Sequence, residues 1–148
     1  MWKLFIGIAL CVAINTQTQA EPSEFIYQDQ GRGSAKEKTM RRLYDIIPNS
    51  SGSAAKARLV ILRTMQSIRG PACLLEEEGE GFITCRWDYK GHAIFHRIEY
   101  NDQAIQIKYG GGINAYECEN LVDGFCYKIH RNYFKYGANF RKDLSRTL

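Results

Sequence analysis

The chain of 148 residues has a formal net charge of +4, too mild either to demand or to exclude an anionic partner. Its length suits one domain rather than several, and internal repeats and low-complexity tracts are absent.

The opening stretch, MWKLFIGIALCVAINTQTQA (1–20), sets one lysine ahead of an apolar run from Leu4 to Ile14 and ends on Ala20, the pattern of a secretory signal peptide. That run is about eleven residues, against the roughly twenty that a membrane-spanning helix needs, so no span is expected after cleavage. Lipidation at Cys11 is disfavoured because Leu10 sits where a small residue is wanted. Cleavage after Ala20 removes Lys3, takes the charge from +4 to +3, and delivers the chain to the periplasm or the extracellular medium. Residues 21–33, EPSEFIYQDQGRG, have no clear period and read as an N-terminal arm. Residues 34–148 read as a single α+β domain.

The first predicted helix is SAKEKTMRRLYDII (34–47). Ser34 and Glu37 form a capping box, Met40, Leu43, Tyr44 and Ile47 follow the i, i+3, i+4, i+7 rule, and Pro48 ends the helix. After the NSSGS loop, a second helix is capped by Ser53, carries an apolar face of Ala57, Ile61, Leu62, Met65 and Ile68, and stops at Gly70-Pro71. Asn49-Ser50-Ser51 in that loop is a glycosylation sequon, of consequence only in a eukaryotic host.

From Cys73 the apolar period becomes two. Turn signals at Gly79, Lys90-Gly91, Asn101-Asp102, Gly110-Gly111-Gly112 and Asp123-Gly124 predict an antiparallel meander of four to six strands, with both N-terminal helices packed on one of its faces. The last segment, NYFKYGANFRKDLSRTL, lacks a clean period and reads as a final strand with a frayed or docked tail.

Without Cys11, the cysteines number four, an even count that implies two disulfides in an exported protein. Folding each intervening segment as a hairpin pairs Cys73 with Cys85 and Cys118 with Cys126. A zinc site from the four thiolates lacks any closely spaced pair, and no metal or cofactor is expected.

Taking Lys90-Gly91 and Asn101-Asp102 as two-residue turns sets the strand register. Tyr89 then faces His92, Trp87 faces Ile94, Cys85 faces His96 and Ile83 faces Ile98; in the next pair Ile98 faces Ile105, His96 faces Ile107 and Ile94 faces Tyr109. All of these share one face, the core. The other face carries Thr84, Arg86, Asp88, Phe95, Arg97, Glu99, Gln106 and Lys108. Phe95 among Arg86, Arg97 and Lys108 resembles the centre of a recognition surface, where aromatic and arginine residues are enriched. The competing reading is a solvated face whose Phe95 is covered by the arm or the tail.

His92 and His96 in GHAIFHRIEY are i, i+4, but on a strand that spacing is about 13 Å, too far for one metal ion. His96 is expected in the core, with a helix side chain such as Tyr44 as a candidate partner, and His92 at an exposed hairpin end. His130 supports the one enzyme reading, metal-independent RNA cleavage. His130 or His92 would be the base, with Arg86, Arg97 and Lys108 on the phosphate. Its difficulty is that His92 falls on the face opposite those cations. EEEGEG brings Glu76, Glu77, Glu78 and Glu80 to the tip of a hairpin stapled by Cys73 and Cys85. It reads as an acidic finger for a basic cleft on another protein, or as a solvated tip; a calcium loop would need alternating carboxylates.

The leading expectation is therefore not an enzyme. It is an exported protein-binding module of inhibitor or immunity type that blocks another extracytoplasmic protein. Contacts are expected from Phe95, Arg97, Arg86 and Lys108 and from Glu76, Glu77, Glu78 and Glu80; nucleic acid is not the expected partner.

Overall fold

The computed structural model describes residues 35–67 and 72–148. The signal (1–20), the arm (21–33), the Ser34 cap and the residues Ile68, Gly70 and Pro71 lie outside the described residues.

Helix α1 (Ala35–Tyr44) is followed by a two-residue strand β1 (Ile47–Pro48) and helix α2 (Ala54–Ser67). Strands β2 (Leu74–Gly79), β3 (Phe82–Tyr89), β4 (His92–Tyr100) and β5 (Ala104–Ile113) come next. A 3-10 turn (Asn114–Tyr116), a hairpin of β6 (Asn120–Val122) and β7 (Phe125–Lys128), and helix α3 (Arg131–Thr147) complete the chain. The main sheet is antiparallel in the order β1-β5-β4-β3-β2. The architecture is α+β with two disulfides, Cys73–Cys85 and Cys118–Cys126, whose Cα atoms are 5.7 and 5.9 Å apart. Two such bridges suit an oxidising setting outside the cytosol.

The helices are not all N-terminal. The segment expected to end the chain as a strand is α3, a helix of 17 residues. Its buried positions Tyr133, Phe134, Gly137, Phe140 and Leu144 recur at helical spacing. Gly137 occupies one place on this stripe, where a Cβ would lie 2.6 Å from His96 Nε2 and closer still to Leu43 Cδ1. The small residue therefore lets α3 approach both α1 and the sheet.

Helix α1 is shorter than predicted. Met40, Leu43, Tyr44 and Ile47 are all buried as the spacing required, but Ile47 is extended and pairs with Ile105. A residue preceding proline is pushed toward extended backbone, and Pro48, lacking an N–H, is tolerated on an edge strand. Ser53 caps α2 by accepting from the Lys56 N–H at 3.4 Å, and Ala57, Ile61, Thr64 and Met65 are buried below it. In the preceding loop, buried Asn49 donates from Nδ2 to the carbonyls of Asn101 and Ser53 and accepts at Oδ1 from Ser51 N–H and Oγ–H.

The β3–β4 register is the predicted one, with Tyr89, Trp87, Cys85 and Ile83 opposite His92, Ile94, His96 and Ile98. Lys90 and Gly91, at φ 46° and 77°, make the two-residue turn. The β4–β5 pairing differs: Tyr100 faces Ile105, Ile98 faces Ile107 and His96 faces Tyr109. The loop is Asp102-Gln103, because Asn101 Oδ1 accepts from both the Gln103 and the Ala104 N–H and closes the turn from one residue outside it. The slip preserves parity, so the inner face keeps its residues while their partners change. The triple glycine is strand, bulged where Gly110 crosses the backbone of Phe95 and His96.

Helices and inner face share one core of Leu43, Ile61, Trp87, Ile94, Ile98, Ile107, Phe134 and Phe140. Each such side chain contributes about 1.5–3 kcal/mol by leaving water. Tyr44 joins α1 to β7: its hydroxyl donates to the Cys126 carbonyl at 2.7 Å, accepts from the Cys126 N–H at 3.0 Å, and lies 3.4 Å from the Tyr133 hydroxyl. Burial raises the Tyr44 and Tyr133 hydroxyls well above the ordinary tyrosine range, so both stay protonated.

Candidate protein-contact surface

His96 is fully buried in the core. Its partner is the Tyr133 backbone carbonyl, 3.1 Å from Nε2, rather than the Tyr44 side chain. The ring stacks on Tyr133 at 4.3 Å and meets the edge of Trp87 at 4.8 Å. A carbonyl can only accept, so Nε2 carries the proton, and the buried Nδ1 has no partner among the described residues. Desolvation pushes the imidazole pKa down to about 3, against the smaller upward pull of the Tyr133 carbonyl. His96 is a neutral part of the core.

His130 caps α3, its Nδ1 accepting from the Asn132 N–H at 3.3 Å. Helix α3 packs on the inner side of the sheet, whereas Arg86, Arg97 and Lys108 belong to the outer face, so these four residues are not brought together. His92 and His130 instead flank one ring, Tyr116, with centroids 5.9 and 5.2 Å away, and Asn132 Nδ2 donates to the Tyr116 hydroxyl at 3.3 Å. Among the described residues no group of three or more histidine, cysteine, aspartate or glutamate side chains is arranged to hold a metal.

The outer face is internally paired. Arg86 lies 2.7 Å from Asp88 and 3.5 Å from Glu76, and its guanidinium is 5.6 Å from the Phe95 ring. Arg97 lies 3.1 Å from Glu99 and stacks 3.6 Å over Phe82. Lys108 bonds Glu99 at 2.7 Å and is buried rather than displayed, because Gly124 and Phe125 of the second hairpin cover its side chain. Gln106 is also buried, its Nε2 donating to the Tyr44 carbonyl at 3.4 Å. The half-exposed part of this face is thus narrowed to Phe82, Arg86, Phe95, Arg97 and Glu99 on β3 and β4. Phe82 was missed in the sequence, although alternation from inward Ile83 points it outward.

The acidic run is a strand rather than a fingertip. Glu76, Glu77 and Glu78 lie within β2, and only Glu80 is in the turn. Glu76 sits at a bulge and reaches Arg86 on the outer side, Glu77 pairs in register with outward Thr84, and Glu78 forms an ion pair with Arg58 of α2 on the helix side. That ion pair lowers the Glu78 pKa. Strand β2 ends the sheet, so one of its two hydrogen-bonding edges has no strand partner among the described residues. Leu74 and Leu75 are 50% and 51% exposed there, large apolar side chains on a strand otherwise rich in glutamate. Cys73, bonded to Cys85 of β3, holds the start of this strand in place.

Among the described residues no helix is long and apolar enough to cross a membrane. No protein-family model, no curated protein and no solved structure matches the chain.

Proposed function

We propose that this chain is an exported protein-binding module that blocks another extracytoplasmic protein, in the manner of an inhibitor or immunity protein, with β2 and the adjoining outer face as its contact surface. The observation that carries the reading is the edge of β2 left without a strand partner among the described residues, bearing exposed Leu74 and Leu75 and fixed by the Cys73–Cys85 bridge. An extended partner segment can add to such an edge by main-chain hydrogen bonds, with pockets for alternate side chains giving selectivity. The bridge limits the ordering cost of that step. Glu77, for which no ion pair is formed among the described residues, would favour a basic partner segment, and Phe95 and Phe82 supply ring area beside it. The apolar run at 4–14 and the two disulfides support export.

The test is capture of a partner from the native extracytoplasmic fluid by the wild type and by Glu77→Lys and Phe95→Ala variants. A single protein retained by the wild type and lost from variants of unchanged melting temperature supports the reading. Retention that ignores both substitutions removes it.

One observation favours a second reading, a metal-independent ribonuclease: His92 and His130 share Tyr116 at the start of α3. Two imidazoles near one site could serve as base and acid. RNA hydrolysis abolished by His130→Ala with the fold intact supports it, and an unchanged rate in that variant excludes it.

A further inference from the structure

The cations of the outer face pair with neighbouring carboxylates. Two depressions, of about 550 and 520 Å³, lie between α1 and α3 and share Arg42, Ala138 and Asn139, so they form one continuous trough. Six cations line it, Arg42 from α1 and Arg131, Lys135, Arg141, Lys142 and Arg146 from α3, and among the described residues no carboxylate side chain does. Four of them, Arg131, Lys135, Lys142 and Arg146, recur at i, i+4, i+11 and i+15. They form one stripe about 22 Å long at 1.5 Å per residue. Among the described residues Arg42, Arg131, Lys135 and Lys142 have no ion-pair partner. Arg141 donates to the Asp45 backbone carbonyl at 3.1 Å and feels the Asp45 carboxylate, and Arg146 lies 3.8 Å from Asp143.

The packing that makes the trough is also specific. Gly137 brings the two helices together where Leu43 and His96 leave no space for a Cβ, and Ala138 lines the trough beside it. The cations therefore stand along a shallow channel between two helices rather than scattered on a convex face.

We propose that this trough binds a sulfated polysaccharide chain. Linear arrays of basic residues recognise linear polyanions by charge, and guanidinium groups match the paired oxygens of a sulfate. Single-stranded nucleic acid is disfavoured because its binding sites add aromatic platforms for the bases, and among the described residues no ring lines this channel. Two disulfides fit a setting in which sulfated glycans are met. The trough lies on the solvent side of α3, so the proposal is independent of the contact surface on β2.

The experiment uses the purified full chain and a short heparin oligosaccharide as probe, with titration calorimetry at several salt concentrations. Lys135→Gln/Lys142→Gln is compared with the charge-matched control Lys56→Gln/Arg63→Gln, whose positions are exposed on α2. The trough variant is expected to lose affinity about tenfold or more and to flatten the salt dependence by roughly two units of slope, with the control within about threefold of wild type. Equal losses in both variants would reduce the effect to net charge and overturn the proposal. So would undetectable heparin binding by the wild type, or tighter binding of single-stranded RNA or phosphatidylserine vesicles than of heparin.

Discussion

The two faces of the sheet solve the same problem in opposite ways. On the inner face Ile83, Trp87, Ile94, His96, Ile98 and Ile107 meet three helices, and His96 is held neutral by burial. On the outer face Arg86, Arg97 and Lys108 are paired with Glu76, Asp88 and Glu99, with Phe82 and Phe95 under the guanidinium groups. The inner face is closed chemistry, costly to alter. Half-exposed residues of the outer face such as Phe82, Arg86, Phe95 and Arg97 are more loosely coupled, so they can change with less loss of fold than the core.

That contrast can be broken in graded steps. Phe140→Ala, emptying the space against Trp87, is expected to lower stability by about 3–5 kcal/mol in urea unfolding. The second step is a pH series. The folded His96 pKa is about 3 and the unfolded imidazole titrates near 6.5, so its stability contribution is full above about pH 6.5 and declines as pH falls toward 3. The slope of that decline approaches about 1.4 kcal/mol per pH unit. His96→Gln should remove this component of the acid-limb slope; an unaltered slope would mean that carboxylates alone set it. Gly137→Ala pits a helix-propensity gain of about 1 kcal/mol against the clash with Leu43 and His96, and the clash should win, for a net loss of about 1–3 kcal/mol. The smallest effect belongs to the outer face. A double-mutant cycle of Phe82→Ala and Arg97→Gln should give a coupling of about 0.5–1 kcal/mol, the usual value for an exposed cation over a ring. A coupling above that of the core substitutions would erase the distinction between the faces.

How much of this was legible in the sequence depended on whether a signal was local. Lys90-Gly91 carries its turn in two residues, so the β3–β4 register follows from counting. The cysteine pairs were readable because each lies in a segment short enough to fold on itself. The next turn was misplaced by one residue because Asn101 acts through its side chain, accepting two N–H groups from outside the loop it closes. Helix α3 was hidden by composition: aromatic residues favour strands on average, and Gly137 reads as a gap in the apolar stripe although it is the point of closest approach. The covering of Lys108 by Gly124 and Phe125 is a tertiary event with no counterpart in strand alternation. The basic trough adds Arg42 of α1 to cations of α3 about ninety positions away, a juxtaposition that no local pattern carries.

Asn49 stands at the head of a glycosylation sequon, yet both donor hydrogens of its amide are committed to the Ser53 and Asn101 carbonyls and the side chain is buried. A sugar on that nitrogen and the native junction of α2 with the β4–β5 loop are mutually exclusive. In a glycosylating host the site becomes a race between oligosaccharide transfer and closure of the loop. The mass of the secreted product would record which came first.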